Sequence, residues 1–176
     1  MKKILMTLVA VFATMTMSAQ SMYVGGTLGY TTNPADAAND RFTIAPQFGV
    51  NFDETWGVGA VLSYTNVKDT RSSFTFNPYV RYQALKLGKF DLFLDGGVYF
   101  TTESPKGGDA DNFYGLNVRP GISYNLTEHI ALTALGNSLV SLDFGSPAVG
   151  DSWTRFNVLN NKYGINDFRF GVFYTF

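Results

Sequence analysis

The segment Phe42-Thr43-Ile44-Ala45-Pro46-Gln47-Phe48-Gly49-Val50-Asn51-Phe52 alternates, residue by residue, between large apolar groups and small or polar ones. Successive side chains of a strand point to opposite faces, so an extended chain here has one apolar and one polar face. The alternation recurs eight times, near residues 21–31, 41–52, 56–66, 73–84, 90–101, 114–126, 129–142 and 168–176. The seventh begins with Ile130 and Leu132 on the apolar face and loses parity around Leu135–Ser141, which points to a bulge. In the eighth, Phe168, Phe170, Val172, Tyr174 and Phe176 share one face, and Arg169, Gly171, Phe173 and Thr175 the other.

The apolar faces are the larger and more aromatic; the opposite faces hold Gly, Thr, Asn, Gln, Arg and Asp. A water-soluble barrel shows the inverse, with its large apolar residues inside. Here the polar face must point inward, so the solvent around the barrel is lipid. Mean hydropathy near zero agrees, because alternation hides the apolar wall from any average. After residue 19 no segment reaches the ~18 apolar residues of a spanning helix. The expected fold is all-β: an eight-stranded antiparallel transmembrane β-barrel.

Residues 1–19 read as a signal peptide. Lys2 and Lys3 precede an apolar run from Ile4 to Met17, and Ser18-Ala19-Gln20 offers a cleavage site after Ala19 or Gln20. Residues 20–176 then form one barrel domain. Removing the leader leaves 11 basic against 14 acidic residues, a net charge of −3, with no basic surplus for nucleic acid. There is no cysteine, hence neither a disulfide framework nor a lipidated anchor.

Connectors near 53–55, 85–89 and 127–128 are short, and those near 32–40, 66–72, 102–113 and 143–163 are mostly longer. Strict alternation of the two kinds matches short periplasmic turns and longer extracellular loops, with both termini in the periplasm. Outward aromatics then form two girdles: Phe52, Trp56, Tyr82, Phe90, Tyr124 and Phe176 below, and Tyr30, Phe42, Tyr64, Phe74, Phe100 and Phe168 above. Pro46, Pro78 and Pro120 recur at equivalent outward places in three even-numbered strands, although proline removes a ladder donor.

With these features the chain resembles the small eight-stranded outer-membrane barrels of Gram-negative bacteria, similar to the transmembrane domain of outer membrane protein A and its short relatives. The resemblance covers all of residues 20–176 and is architectural. It implies insertion by the outer-membrane assembly machinery, which would read the C-terminal strand through Phe170, Val172, Tyr174 and Phe176. It also implies contact with membrane lipid and lipopolysaccharide, and a monomer. Some barrels of this architecture are enzymes that use His with Ser, Asp or Glu near the outer rim. This chain has one histidine, His129, next to a short periplasmic turn, so such a relay lacks its base and no enzymatic activity is expected.

No catalytic, cofactor or metal site is marked. Asp109-Ala110-Asp111-Asn112 carries oxygen ligands but lacks the spacing of a calcium loop, and reads as a solvated loop tip. The candidate site is the lumen. Arg81, Asp95 and Arg119 have inward parity in the middle of strands four to six, and Asp167 and Arg169 have it on the closing strand. Charges in so narrow a barrel should pair, with Asp95 bridging Arg81 and Arg119, and Asn77, Gln47 and Asn117 as polar neighbours. Trp153, Phe156 and Tyr163 in the fourth loop either extend the strands or pack over the mouth, or offer a surface to an extracellular partner or lipopolysaccharide. Two roles follow. One is a structural envelope or surface-interaction protein displaying extracellular loops. The other is a narrow channel for water, ions or small solutes. An eight-stranded interior is just wide enough for side chains to fill, which favours the first.

Overall fold

The computed structural model describes residues 21–31, 40–146, 152–158 and 169–176. The expected signal peptide, together with Asp167, Phe168 and Tyr163, lies outside the described residues. Ten strands follow in order: β1 (Ser21–Thr31), β2 (Arg41–Asn51), β3 (Trp56–Val67), β4 (Arg71–Leu87), β5 (Phe90–Pro105), β6 (Asp111–Asn125), β7 (Ile130–Leu135), β8 (Val140–Ser146), β9 (Trp153–Val158) and β10 (Arg169–Thr175).

Eight of them close a ring of antiparallel neighbours, β1 to β7 in sequence and then β10, which returns to β1. The closing register sets Val24 opposite Tyr174 and Leu28 opposite Phe170. Closure leaves no strand edge in lipid, where unpaired backbone groups have no water to turn to. β8 continues the wall above β7, pairing with the upper half of β6, and β9 pairs with β8. The seventh wall strand is therefore β7 and β8 in line.

The break between them explains the lost parity. Leu135 lies opposite Gly121 and Val140 opposite Val118, so Gly136 to Leu139 span only Arg119 and Pro120. Gly136 N donates to Pro120 O (2.9 Å) and Leu139 N to Val118 O (2.8 Å), which leaves Asn137 and Ser138 as two extra residues. An even insertion keeps the faces in phase, and Val140 is exposed like Ile130 and Leu132.

The upper loops expected at 66–72 and 102–113 are shorter than the sequence suggests. The ladder of β3 and β4 runs to Val67 and Arg71, and that of β5 and β6 to Glu103 and Asp111. The apolar stripe stops earlier, at Ser72, Ser73 and Ser104, but backbone pairing needs no apolar side chain to continue. Likewise 85–87 belongs to β4 rather than to a turn. A bulge between Gln83 and Leu85 shifts the parity there and turns Leu85 and Leu87 outward. The turn that remains is Gly88-Lys89, and Gly88 supplies its positive φ of 61°. At the two other turns of that end, a side-chain oxygen organises the chain. Asp53 Oδ1 accepts from the amides of Thr55 and Trp56, and Thr127 Oγ1 from those of His129 and Ile130.

The three prolines interrupt the ladder on one side only, each toward the following strand. Ala45 and Pro46 are skipped in the pairing with β3, and Asn77 and Pro78 in the pairing with β5. Pro120 faces the break before β8. At Pro78 the loss is repaired locally. The Asn77 side chain donates through Nδ2 to Val98 O (2.8 Å), the carbonyl opposite the proline.

Candidate functional site in the barrel interior

Outward and inward faces separate as the alternation requires. Val24, Leu28, Phe48, Leu62, Val80, Val98, Leu116, Ile122 and Val172 are exposed on the wall. Tyr23, Gln47, Val61, Tyr79, Phe93, Asp95, Arg119, Thr133 and Phe173 are buried in the lumen. Outward aromatics meet in pairs at the turn end, Trp56 with Tyr82 (5.0 Å between ring centres) and Phe90 with Tyr124 (4.8 Å). At the loop end Tyr114 stacks on Phe144 (5.4 Å).

Inward rings need room in a narrow cylinder, and glycine on the neighbouring strand provides it. A Cβ at Gly121 would collide with the rings of Phe93, and one at Gly59 with the phenol of Tyr79. These close approaches allow a cross-section to fill with Tyr23, Tyr79, Gln47, Phe93 and Phe173. The Tyr23 and Tyr79 hydroxyls are hydrogen-bonded at 2.7 Å, and Gln47 Nε2 donates to the Tyr79 hydroxyl.

The charge at the centre is a bidentate pair. Arg81 Nε donates to Asp95 Oδ1 at 2.7 Å and Arg81 Nη2 to Asp95 Oδ2 at 2.8 Å, with the carboxylate fully buried. The guanidinium lies over the Phe93 ring at 3.8 Å and near Tyr23 and Tyr79 at 5.1 and 5.4 Å. Cation–π contact and fork geometry together hold it in place. Asp95 meets Arg81 but not Arg119. Arg119 is its direct register partner on β6, and the Arg81 fork engages one acceptor site on each carboxylate oxygen. Arg119 Nε and Nη2 have no hydrogen-bond partner among the described residues. Gln47 serves Tyr79 rather than the ion pair.

Two cavities flank this layer. The turn-end cavity, about 610 Å³, is reached by Arg81, Gln83, Lys86 and Asp91. The loop-end cavity, about 340 Å³, is reached by Arg119, Arg41, Arg169, Asn77 and Asp143. Asp143 was not marked in the sequence, because its strand lies beyond the lapse in parity. It accepts from the Tyr99 hydroxyl (2.6 Å), Asn157 Nδ2 (2.7 Å) and Ser141 Oγ (3.3 Å). This network ties β8 and β9 to the barrel wall at β5.

Trp153 and Phe156 lie on opposite faces of β9. Trp153 shares its face with Arg155 and Asn157; it packs against Phe113 (6.0 Å), with the Arg155 guanidinium 4.7 Å from its ring. Phe156 points to the opposite face and is 66% exposed. At the other end His129 Nδ1 is hydrogen-bonded to Thr175 O (2.8 Å) and its ring stacks on Tyr174 (5.6 Å), fastening the β7–β10 seam. Along that seam Phe170, Val172, Tyr174 and Phe176 are all exposed. Asp111 pairs in register with Glu103, and Asp109 lies in the exposed tip.

The model of the outer membrane protein beta-barrel domain family matches residues 4–176. No curated protein sequence matches the chain. Among solved structures, Neisserial surface protein A superposes with a TM-score of 0.58 at 13% identity, covering 89% of this chain and 96% of that one. The N-terminal β-barrel domain of Pseudomonas aeruginosa OprF gives 0.53 at 15% identity, over 90% and 98%. OprG from the same organism gives 0.50 at 15%, over 90% and 96%. At such identities the likeness is one of fold.

Proposed function

Because the chain belongs to the outer membrane protein beta-barrel domain family, we propose that it is a non-conducting wall element of the outer membrane that carries surface structure outside the cell. The observation that carries this reading is the layer of Arg81, Asp95, Phe93, Tyr23, Tyr79 and Gln47 between the two cavities. A desolvated ion pair clamped on aromatic rings resists the passage of ions, because each ion would have to replace its hydration with groups already engaged. The single imidazole, His129, is engaged at a strand seam, which supports a role without catalysis.

In this reading the loop end faces outward. The β8–β9 hairpin extends the wall there, with Phe156 and Val158 exposed to the lipopolysaccharide leaflet or to an extracellular partner. The β10 face of Phe170, Val172, Tyr174 and Phe176 would serve the assembly machinery before it meets lipid. A narrow channel is the rival role; it draws on the fact that one layer of side chains separates the cavities. Recording from the purified chain in a planar bilayer decides between them. Silence is expected, and reproducible single-channel steps would assign transport instead.

A further inference from the structure

Arg119 is 5% exposed, lies at the inner end of the loop-end cavity, and has no acceptor for Nε or Nη2 among the described residues. A guanidinium stays protonated at any physiological pH and carries five N–H donors, so burial does not neutralise it; it needs an acceptor. The carboxylate opposite is committed to Arg81. Arg41 and Arg169 line the same cavity, and the carboxylate there, Asp143, already accepts from Tyr99, Asn157 and Ser141.

We propose that the loop-end cavity binds a small free oxyanion that carries its own O–H, with Arg119 as the principal donor and inorganic phosphate as the type. The second requirement comes from Asn77. Its Nδ2 is fixed on Val98 O, so its Oδ1 is the acceptor left over, and that oxygen has no partner. Asn117 Oδ1, lining the same cavity, has none either. A hydrogen phosphate accepts from Arg119 and donates to an amide oxygen. Sulfate has no proton to donate at neutral pH. The walls are inward faces of strands, so the occupant enters as a solute from the loop end rather than as a lipid headgroup. At about 340 Å³ the space takes the ion with several waters, each occupying about 30 Å³ in the liquid.

The test titrates the full chain, folded in detergent micelles, with inorganic phosphate and with sulfate, reading heat of binding and thermal midpoint. Phosphate should bind saturably, and sulfate about tenfold more weakly, the loss of one hydrogen bond. Arg119→Gln should abolish the response, and Arg119→Lys, which keeps the charge and loses the fork, should weaken it about tenfold. Gel migration before and after boiling confirms that each variant is folded. Lys89→Gln at the turn end should bind as wild type, and phosphatidic acid added to the micelles should not compete. The proposal is overturned by absence of saturable phosphate binding in the wild type, by wild-type affinity in both Arg119 variants, by equal affinities for phosphate and sulfate, or by displacement by the lipid.

Discussion

Removing the Asp95 carboxylate would leave the Arg81 guanidinium inside a layer of Phe93, Tyr23 and Tyr79 with no counter-charge, and Arg119 one strand away with none either. Breaking a buried pair from one side costs about 3–5 kcal/mol, much of it the stranded charge. Asp95→Ala should therefore lower the unfolding free energy of the refolded barrel in urea by that much, whereas Arg81→Ala/Asp95→Ala together should cost less than Asp95→Ala alone. If the double variant is the less stable, the lumen is held by packing rather than by charge. At the neighbouring position, Asn77→Ala would strand Val98 O, a carbonyl that Pro78 cannot serve. A buried acceptor left unmade costs about 1–3 kcal/mol, and an unchanged unfolding midpoint would show that water replaces the amide.

At the level of elements, alternation was enough to place all eight wall strands, since lipid outside and packed side chains inside impose a period of two on both faces. Leu94 and Val118, read as mid-wall, sit beside Tyr82 and Pro120 and across from Gly96 in the paired strands. Leu94→Arg should cost ~2–4 kcal/mol, and the same change at Leu85 near the turn end about 0–1, measured as shifts in denaturant midpoint. Equal costs would mean that depth in the wall was misassigned. What the alternation did not carry is where strands bend or stop. The bulge after Gln83 and the insertion at Asn137-Ser138 depend on pairing across strands, which a period along one strand does not record. The same holds for the lumen. Inward parity put Arg81, Asp95 and Arg119 in one neighbourhood, but the choice of Asp95 for Arg81 turns on rotamers and on the Phe93 ring beneath the guanidinium. Asp143 escaped notice because it lies past the insertion.

For the whole molecule, the closed ring and the central layer make separable predictions. Closure through β1 and β10, with Phe176 N donating to Met22 O at 2.8 Å, predicts a folded form that resists detergent and migrates differently on a gel before and after boiling. The central layer predicts how the cavities communicate. Arg81 reaches the turn-end cavity and Arg119 the loop-end one, so the Arg81–Asp95 pair with Phe93 occupies the space between them. In Arg81→Ala/Asp95→Ala no charge of the pair is stranded, the barrel keeps its wall, and the volume of two side chains opens beside Tyr23 and Tyr79. Bilayers holding this variant should show brief single-channel steps that are absent from the wild type, and Arg119 on the path should make them anion-selective. Asp95→Ala alone should conduct less, because the Arg81 guanidinium stays over the Phe93 ring. A silent double variant that still migrates as a folded barrel would place the seal in the hydrogen-bonded Tyr23, Tyr79 and Gln47 layer, and not in the ion pair.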